Sequence, residues 1–296
     1  MEKGLSDGFF KSVEGRISPA KVAITFQGAD LLRRLPISLQ RHAAAKGART
    51  DPYMGFVVEP YCLFLAYEIS EELAARFLPP QYRLVPTSLF TTEPEYPCAI
   101  LGMFNIHTSV FWGTRFELYV IAQNEKTGLL SWIICDYESN TINYDPGKGF
   151  LGPTTERCVY TTAYDARILC DMSSKKGSNT IALGLPLGAA SYAELNKRLW
   201  VEGNLSIDYS GELDNGGKDP FGLIFDPGEM AQAWKVDPGR LEVSALRFSF
   251  LNQQASPREI CCFPFAQHFI TTTFPKGTSI STVEDLERKV REISSL

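Results

Sequence analysis

The sequence predicts an α+β fold that is mainly antiparallel β, and three observations carry that prediction. Runs rich in β-branched and aromatic residues recur along the chain, as in Tyr61–Tyr67 (YCLFLAY). Turn compositions separate them, as at Asn124–Gly128 and Ser173–Asn179. Only a few short stretches carry helical spacing. Many antiparallel strands with few helices favour a closed or nearly closed β-barrel, because closure removes exposed strand edges.

The elements follow in order. Residues 1–52 read as an N-terminal arm, and 53–296 as one barrel domain ending in a helix. In the arm, Lys21–Gln27 reads as a strand, with short helices over Asp30–Arg34 and Ser38–Lys46, punctuated by Pro36 and Gly47. After the strand at Tyr61–Tyr67, Ser70 reads as a helix N-cap with Glu71 and Glu72 in the first turn. Leu73 and Phe77 share a face, and Pro79-Pro80 ends the helix. Strands are expected over Tyr82–Val85, Pro97–Thr108, Arg115–Gln123 and Leu129–Tyr137, the last two joined as a hairpin. Glu156–Ala163 and Ala166–Met172 continue the pattern. Ser191 and Glu194 form a capping box before a helical stripe of Tyr192, Leu195 and Leu199. Asp214–Pro220 (DNGGKDP) is the clearest loop. Strands return over Arg240–Phe250 and Glu259–Thr273. A second capping box, Ser281 with Glu284, opens a helix burying Val283, Leu286, Val290 and Ile293.

The totals narrow the function class. The chain has 296 residues, 44% of them apolar and 21% charged, which is ordinary for a globular protein. Its net charge of −5 is unevenly spread: residues 1–50 carry +5 and the remainder −10. A basic arm on an acidic body suits docking onto a neighbouring subunit, or else a solvated leader; a homo-oligomer is the expectation. Basic patches interleaved with aromatics are missing, so nucleic acid is not the expected partner. The seven cysteines are odd in number and lack C-x-x-C spacing, which fits buried free thiols. Cys261 and Cys262 should point to opposite sheet faces and so make a poor chelate. The three histidines lack metal-ligand spacing, and no phosphate-cradling glycine motif occurs, so no metal or other cofactor is expected. With no apolar leader and no run of about 18 apolar residues, the expectation is a cytoplasmic protein without a membrane span.

Three blocks carry a family resemblance. They are YCLFLAYEISEELAARFLPPQYRLV at 61–85, RFELYVIAQN at 115–124 with GKGFLGPTT at 147–155, and AQAWKVDPGRLEV followed by SPREICCFPFAQHFI between 229 and 274. Their content, order and spacing resemble the acetoacetate decarboxylase family. The resemblance implies a cone-shaped, mostly antiparallel barrel with peripheral helices and an interior pocket. It also implies a lysine that forms an imine with a β-keto acid, the imine accepting electrons as carbon dioxide leaves.

This chain departs from that pattern where the chemistry is concentrated. Aligning Gly152-Pro153 with the family's turn places Thr154 and Thr155 at both lysine positions, and a hydroxyl cannot form an imine. Arg115 stands where the family has an acid, and Lys148 where it has an arginine, followed by Gly149 instead of an acid. These swaps suggest a pocket for a small anionic organic molecule, with Arg115 binding a carboxylate bidentately and Thr154 or Thr155 adding hydrogen bonds. The alternative role for Arg115 is to cap a strand edge or to pair with Glu117 across the surface. The catalytic candidates are Lys148, as a relocated amine, and His107, as a general acid or base facing the barrel interior. Lys175-Lys176 lies in a turn and is expected to be solvent-exposed. Three functions stay open: a divergent enzyme acting on a small organic (keto) acid without the usual Schiff base, as a lyase or hydrolase; a non-catalytic binding protein; and a decarboxylase using Lys148.

Overall fold

The computed structural model describes residues 3–50, 53–145, 147–208, 222–272 and 280–295. The expected loop at 214–220 and the strand end at Thr273 lie outside the described residues. Three helices come first: α1 (Lys3–Glu14), α2 (Pro19–Leu32) and α3 (Ile37–Thr50). The strand expected over Lys21–Gln27 is therefore helix. Pro19 stands in the first turn of α2, where its fixed φ suits helix initiation. The β-branched Val22, Ile24 and Thr25 lower helix propensity by only a few tenths of a kcal/mol each, roughly. With no sheet edge taken up by this segment, local hydrogen bonding decides.

The arm is integrated with the body of the chain. Phe9 and Val13 of α1 are fully buried in the main core. Helix α1 lies against α5 (Val283–Ser294), approaching so closely that a Cβ on Gly8 would meet the Ser294 carbonyl oxygen at 2.7 Å. The cap of α5 is Thr282, whose Oγ1 accepts from the Asp285 amide at 3.1 Å, one residue after the cap that the Ser281/Glu284 box predicts. Leu286, Val290 and Ile293 are buried, as their spacing predicts. The short α4 (Glu71–Ala74) is capped by Ser70 as expected.

The central element is a twelve-stranded sheet. Its first six strands in chain order are β1 (Tyr53–Val58), β2 (Cys62–Glu68), β3 (Tyr82–Leu84), β4 (Cys98–Thr108), β5 (Trp112–Asn124) and β6 (Leu130–Ser139). β1 and β2 pair end to end along one edge of β4, while β5 takes the other edge. The joint between them, at Tyr61, has φ +68°, which turns the chain sharply. The same bend recurs one strand further out. Strand 259–263 pairs with β2 and strand 267–272 with β1, so the single strand expected over 259–273 is two, broken at Pro264, which has no amide to give a ladder. The parallel pair of β6 with 207–208 is the exception in an otherwise antiparallel sheet.

Where a helix is expected from Ser191, the chain instead forms strand Ser191–Glu194, paired with Gln232–Val236. Tyr192 sits opposite Trp234 and stays exposed, so backbone pairing with a neighbouring strand overrides the helical spacing. Leu195 and Leu199 are buried nonetheless, on a bridge to Phe90 and in a π-helical turn over Arg198–Glu202.

A second, five-stranded antiparallel sheet, running from Thr155–Ala163 to Leu251–Asn252, covers one face of the large sheet. The two faces thus carry separate cores. Leu63, Leu65, Leu101, Met103 and Leu118 pack toward the second sheet. Cys62, Ala66, Ile100, Phe104 and Ile106 face the other way, into the concave side. All seven cysteines are free thiols, and Cys261 and Cys262 fall on opposite faces, as strand alternation requires.

Candidate functional site

The concave side of the large sheet encloses a cavity of about 550 Å³, within the range of small-molecule sites. β1, β4, β5, β6 and strand 267–272 supply its walls, and α2 and α3 close one side of it. The wall is mostly aromatic and aliphatic; Phe64, Phe104, Trp132, Trp200 and Phe269 are representative. Trp132 and Trp200 are held in place by their own indole donors, Trp132 to the Leu199 carbonyl and Trp200 to the Leu89 carbonyl.

One polar row interrupts this surface. Alternation along β5 turns Arg115, Glu117 and Tyr119 into the cavity and Phe116, Leu118 and Val120 into the packed core. Arg115 Nε lies 2.5 Å from Glu117 Oε1, and its Nη1 donates to Asn143 Oδ1 at 2.5 Å. The guanidinium stands 5.4 Å from the centre of the Tyr137 ring. Tyr119 donates its hydroxyl proton to the other carboxylate oxygen of Glu117. Arg115, Glu117 and Tyr119 are all buried. The row is close to neutral overall, one guanidinium against one carboxylate. Each charge is compensated by a hydrogen-bonded partner, which buried charges require.

The other sequence-predicted residues stand elsewhere. Thr154 Oγ1 accepts from the Ser139 amide at 2.9 Å, at the end of β6 opposite Arg115 in register, one strand beyond the row. Thr155 is buried at the start of strand 155–163. Neither threonine lines the cavity. Lys148 is exposed in the turn of the small hairpin formed by 143–145 and 149–151, 3.6 Å from Asp145 Oδ2. It does not line the cavity either. His107 lies on the opposite face of β4 from Ile106 and Thr108, which do line it. Its Nε2 is 2.8 Å from Glu59 Oε1, and its ring stacks on Trp112. Lys175 is exposed, its ammonium on the Pro153 carbonyl. Arg115 is the predicted residue that the fold brings to the cavity wall. Its partner is Glu117, but inside the cavity and not across the surface.

Position 149, an acid in the resembling family, is glycine here for a local reason. Its φ is +85°, and a Cβ would come within 2.3 Å of Gln40 Oε1. Gln40 is buried, accepts from the Phe150 amide at 2.7 Å and donates to the Leu35 carbonyl at 2.7 Å. It therefore fastens the α2–α3 turn to the hairpin that carries Asn143. The sequence carries no signal for Gln40 or Asn143. For Glu117 and Tyr119 a signal exists, the alternation of polar and apolar residues in RFELYV within a strand otherwise buried on both faces.

Comparisons with known proteins add the following. No protein-family model matches the chain, and a comparison with curated proteins finds no match. Among solved structures the chain is similar to acetoacetate decarboxylase from Legionella pneumophila, with a TM-score of 0.44 at 11% identity over 76% of this chain and 86% of that one. It is similar also to a second acetoacetate decarboxylase structure, with a TM-score of 0.40 at 9% identity over 76% of this chain and 87% of that one. A third is an acetoacetate decarboxylase-like enzyme from Sphingomonas wittichii, with a TM-score of 0.37 at 10% identity over 75% of this chain and 91% of that one. At this identity these structures assign no residue a role.

Proposed function

We propose that the cavity takes a keto acid or related carbonyl compound with a mostly apolar body, and that its chemistry does not run through an imine at positions 154–155. The carrying observation is the buried row Arg115–Glu117–Tyr119, set into an otherwise aromatic and aliphatic wall. The apolar body packs against Phe104, Trp132 and Phe269. The polar head meets the Arg115–Asn143 end of the row, where a guanidinium recognises a carbonyl or carboxyl oxygen. Glu117 and Tyr119 stand beside it and are suited to moving a proton at the ligand's carbonyl group.

The charge balance sharpens this reading. Glu117 already offsets Arg115, so an ionised carboxylate entering the site adds one uncompensated negative charge. A neutral ketone of matching shape should therefore bind more tightly than the ionised keto acid.

Calorimetric titration with paired keto acids and ketones tests this. Binding that disappears in Arg115→Met supports the site; unchanged binding in that variant removes it. Proton exchange of the ligand in heavy water, followed by NMR, separates an enzyme from a non-catalytic binding protein. A borohydride-trapped adduct that maps to Lys148 would overturn the reading in favour of a decarboxylase with a relocated amine.

A further inference from the structure

Helix α2 carries apolar residues on two sides. Val22 and Ala29 are buried beneath it, while Ile24 is 72% and Leu31 64% exposed. The turn into α3 continues this outer surface with Leu35, Ile37 and Leu39. Five of the eleven large apolar residues exposed among the described residues, Ile24, Leu31, Leu35, Ile37 and Leu39, fall within positions 24–39 and do not line the cavity. Exposed apolar side chains gathered in one stretch of the chain point to an interaction site.

Charge selects the occupant. Residues 18–50 contain six Lys or Arg and one acid, Asp30, while the chain beyond residue 50 carries −10. The patch is therefore the cationic pole of an acidic molecule. Two copies joined through this patch would bring like charges together. An anionic lipid surface complements both its aliphatic residues and its net positive charge. Crossing the membrane is a different matter: no described helix is long and apolar enough to span one.

The same helices line the cavity on their inner sides, through Phe26, Ala29, Leu32, Ala43 and Ala44. We infer that the outer face of α2 and α3 docks on an anionic bilayer, placing the cavity at the membrane boundary. The docking stands independently of the ligand reading above. That it delivers an apolar ligand to the cavity rests on that reading.

The test is flotation of the purified full chain with phosphatidylcholine vesicles, with and without phosphatidylserine, in the absence of any cavity ligand. Binding to the phosphatidylserine vesicles should be about tenfold tighter or more than to neutral ones and should weaken with salt. Leu31→Ser with Leu39→Ser should reduce it by at least about tenfold, leaving the thermal melt unchanged because both side chains are exposed. Lys21→Glu with Lys46→Glu should abolish the preference for anionic vesicles. Equal or absent binding to both vesicle types overturns the proposal. So does light scattering that shows a dimer dissociated by the Leu31→Ser/Leu39→Ser change, which would assign the patch to a second copy. Ligand titration with the same variants fails or succeeds separately, so the two readings are distinguished.

Discussion

β5 presents two surfaces built from adjacent residues. Phe116, Leu118 and Val120 sit in a solid core between two sheets, whereas Arg115, Glu117 and Tyr119 border an open volume of about 550 Å³. The same backbone holds both, so the difference lies in the side chains and in what faces them. The packed surface supplies dispersion contacts and burial that stabilise the sheet. The hollow surface forgoes them, and it tolerates an ion pair that a filled core would reject. Stability and recognition are thus divided between the two faces of one strand, and substitutions should separate them.

The largest expected effect is on the packed face. Phe116→Ala should cost about 3–5 kcal/mol in urea denaturation while leaving ligand affinity near that of the wild type where the protein is folded. A cost below about 1 kcal/mol would mean that this face is not the stabilising one. Next comes the ion pair. Arg115→Met leaves Glu117 buried without its cation and should destabilise by about 3 kcal/mol. Adding Glu117→Met should recover most of that stability without recovering binding, a split between the two properties that a purely structural role for the pair would not give.

A smaller effect concerns the seam between α1 and strand 267–272. His268 has Nδ1 2.8 Å from Glu229 Oε1, Nε2 3.5 Å from Glu14 Oε1, and its ring stacked on Phe10 of α1. Burial pushes the imidazole down, but the hydrogen bond and charge of Glu229, with Glu14, outweigh it and hold the group above its ordinary value. A raised histidine stabilises fully below its unfolded pKa, about 6.5, and loses that contribution as pH rises through the folded value. Burial also raises Glu229, which acts with the same sign from a lower pH. The melting temperature should therefore fall by roughly 2–4 °C as pH rises above neutrality, and His268→Gln should flatten this part of the profile. The smallest effect belongs to Lys148. Exposed as it is, Lys148→Ala should change stability by no more than about 0.5 kcal/mol and leave ligand titration unchanged. A large loss of binding would move the site toward the hairpin.

Much of the fold was legible in the residues. Strands at 62–68, 98–108, 112–124 and 130–139 follow from β-forming side chains between turn signals, and α5 from its buried stripe. What failed did so where partners distant in sequence decide. Val22, Ile24 and Thr25 read as strand formers, yet no sheet edge takes them up. Ser191–Glu194 reads as a helix start, yet Trp234 and its neighbours offer a strand. The site was legible only in part. Arg115 was found because it breaks a family pattern. Thr154, Thr155 and Lys148 stand close to the pattern in sequence, but strand register and a hairpin turn carry them off the cavity wall. His107 fails by a single step of alternation along β4. Asn143 reaches Arg115 only through tertiary folding, for which no local signal exists.

The contact of α1 with α5, tightened at Gly8 and Ser294, bears on how the molecule is made. At about 5–20 residues per second, residues near the N-terminus wait on the order of tens of seconds before α5 has been synthesised. β1 waits almost as long for strand 267–272. During that interval Phe9 and Val13 have no finished surface to enter. A nascent chain halted before residue 280 should therefore leave its first fifty residues open to protease, and extending it through α5 should close them.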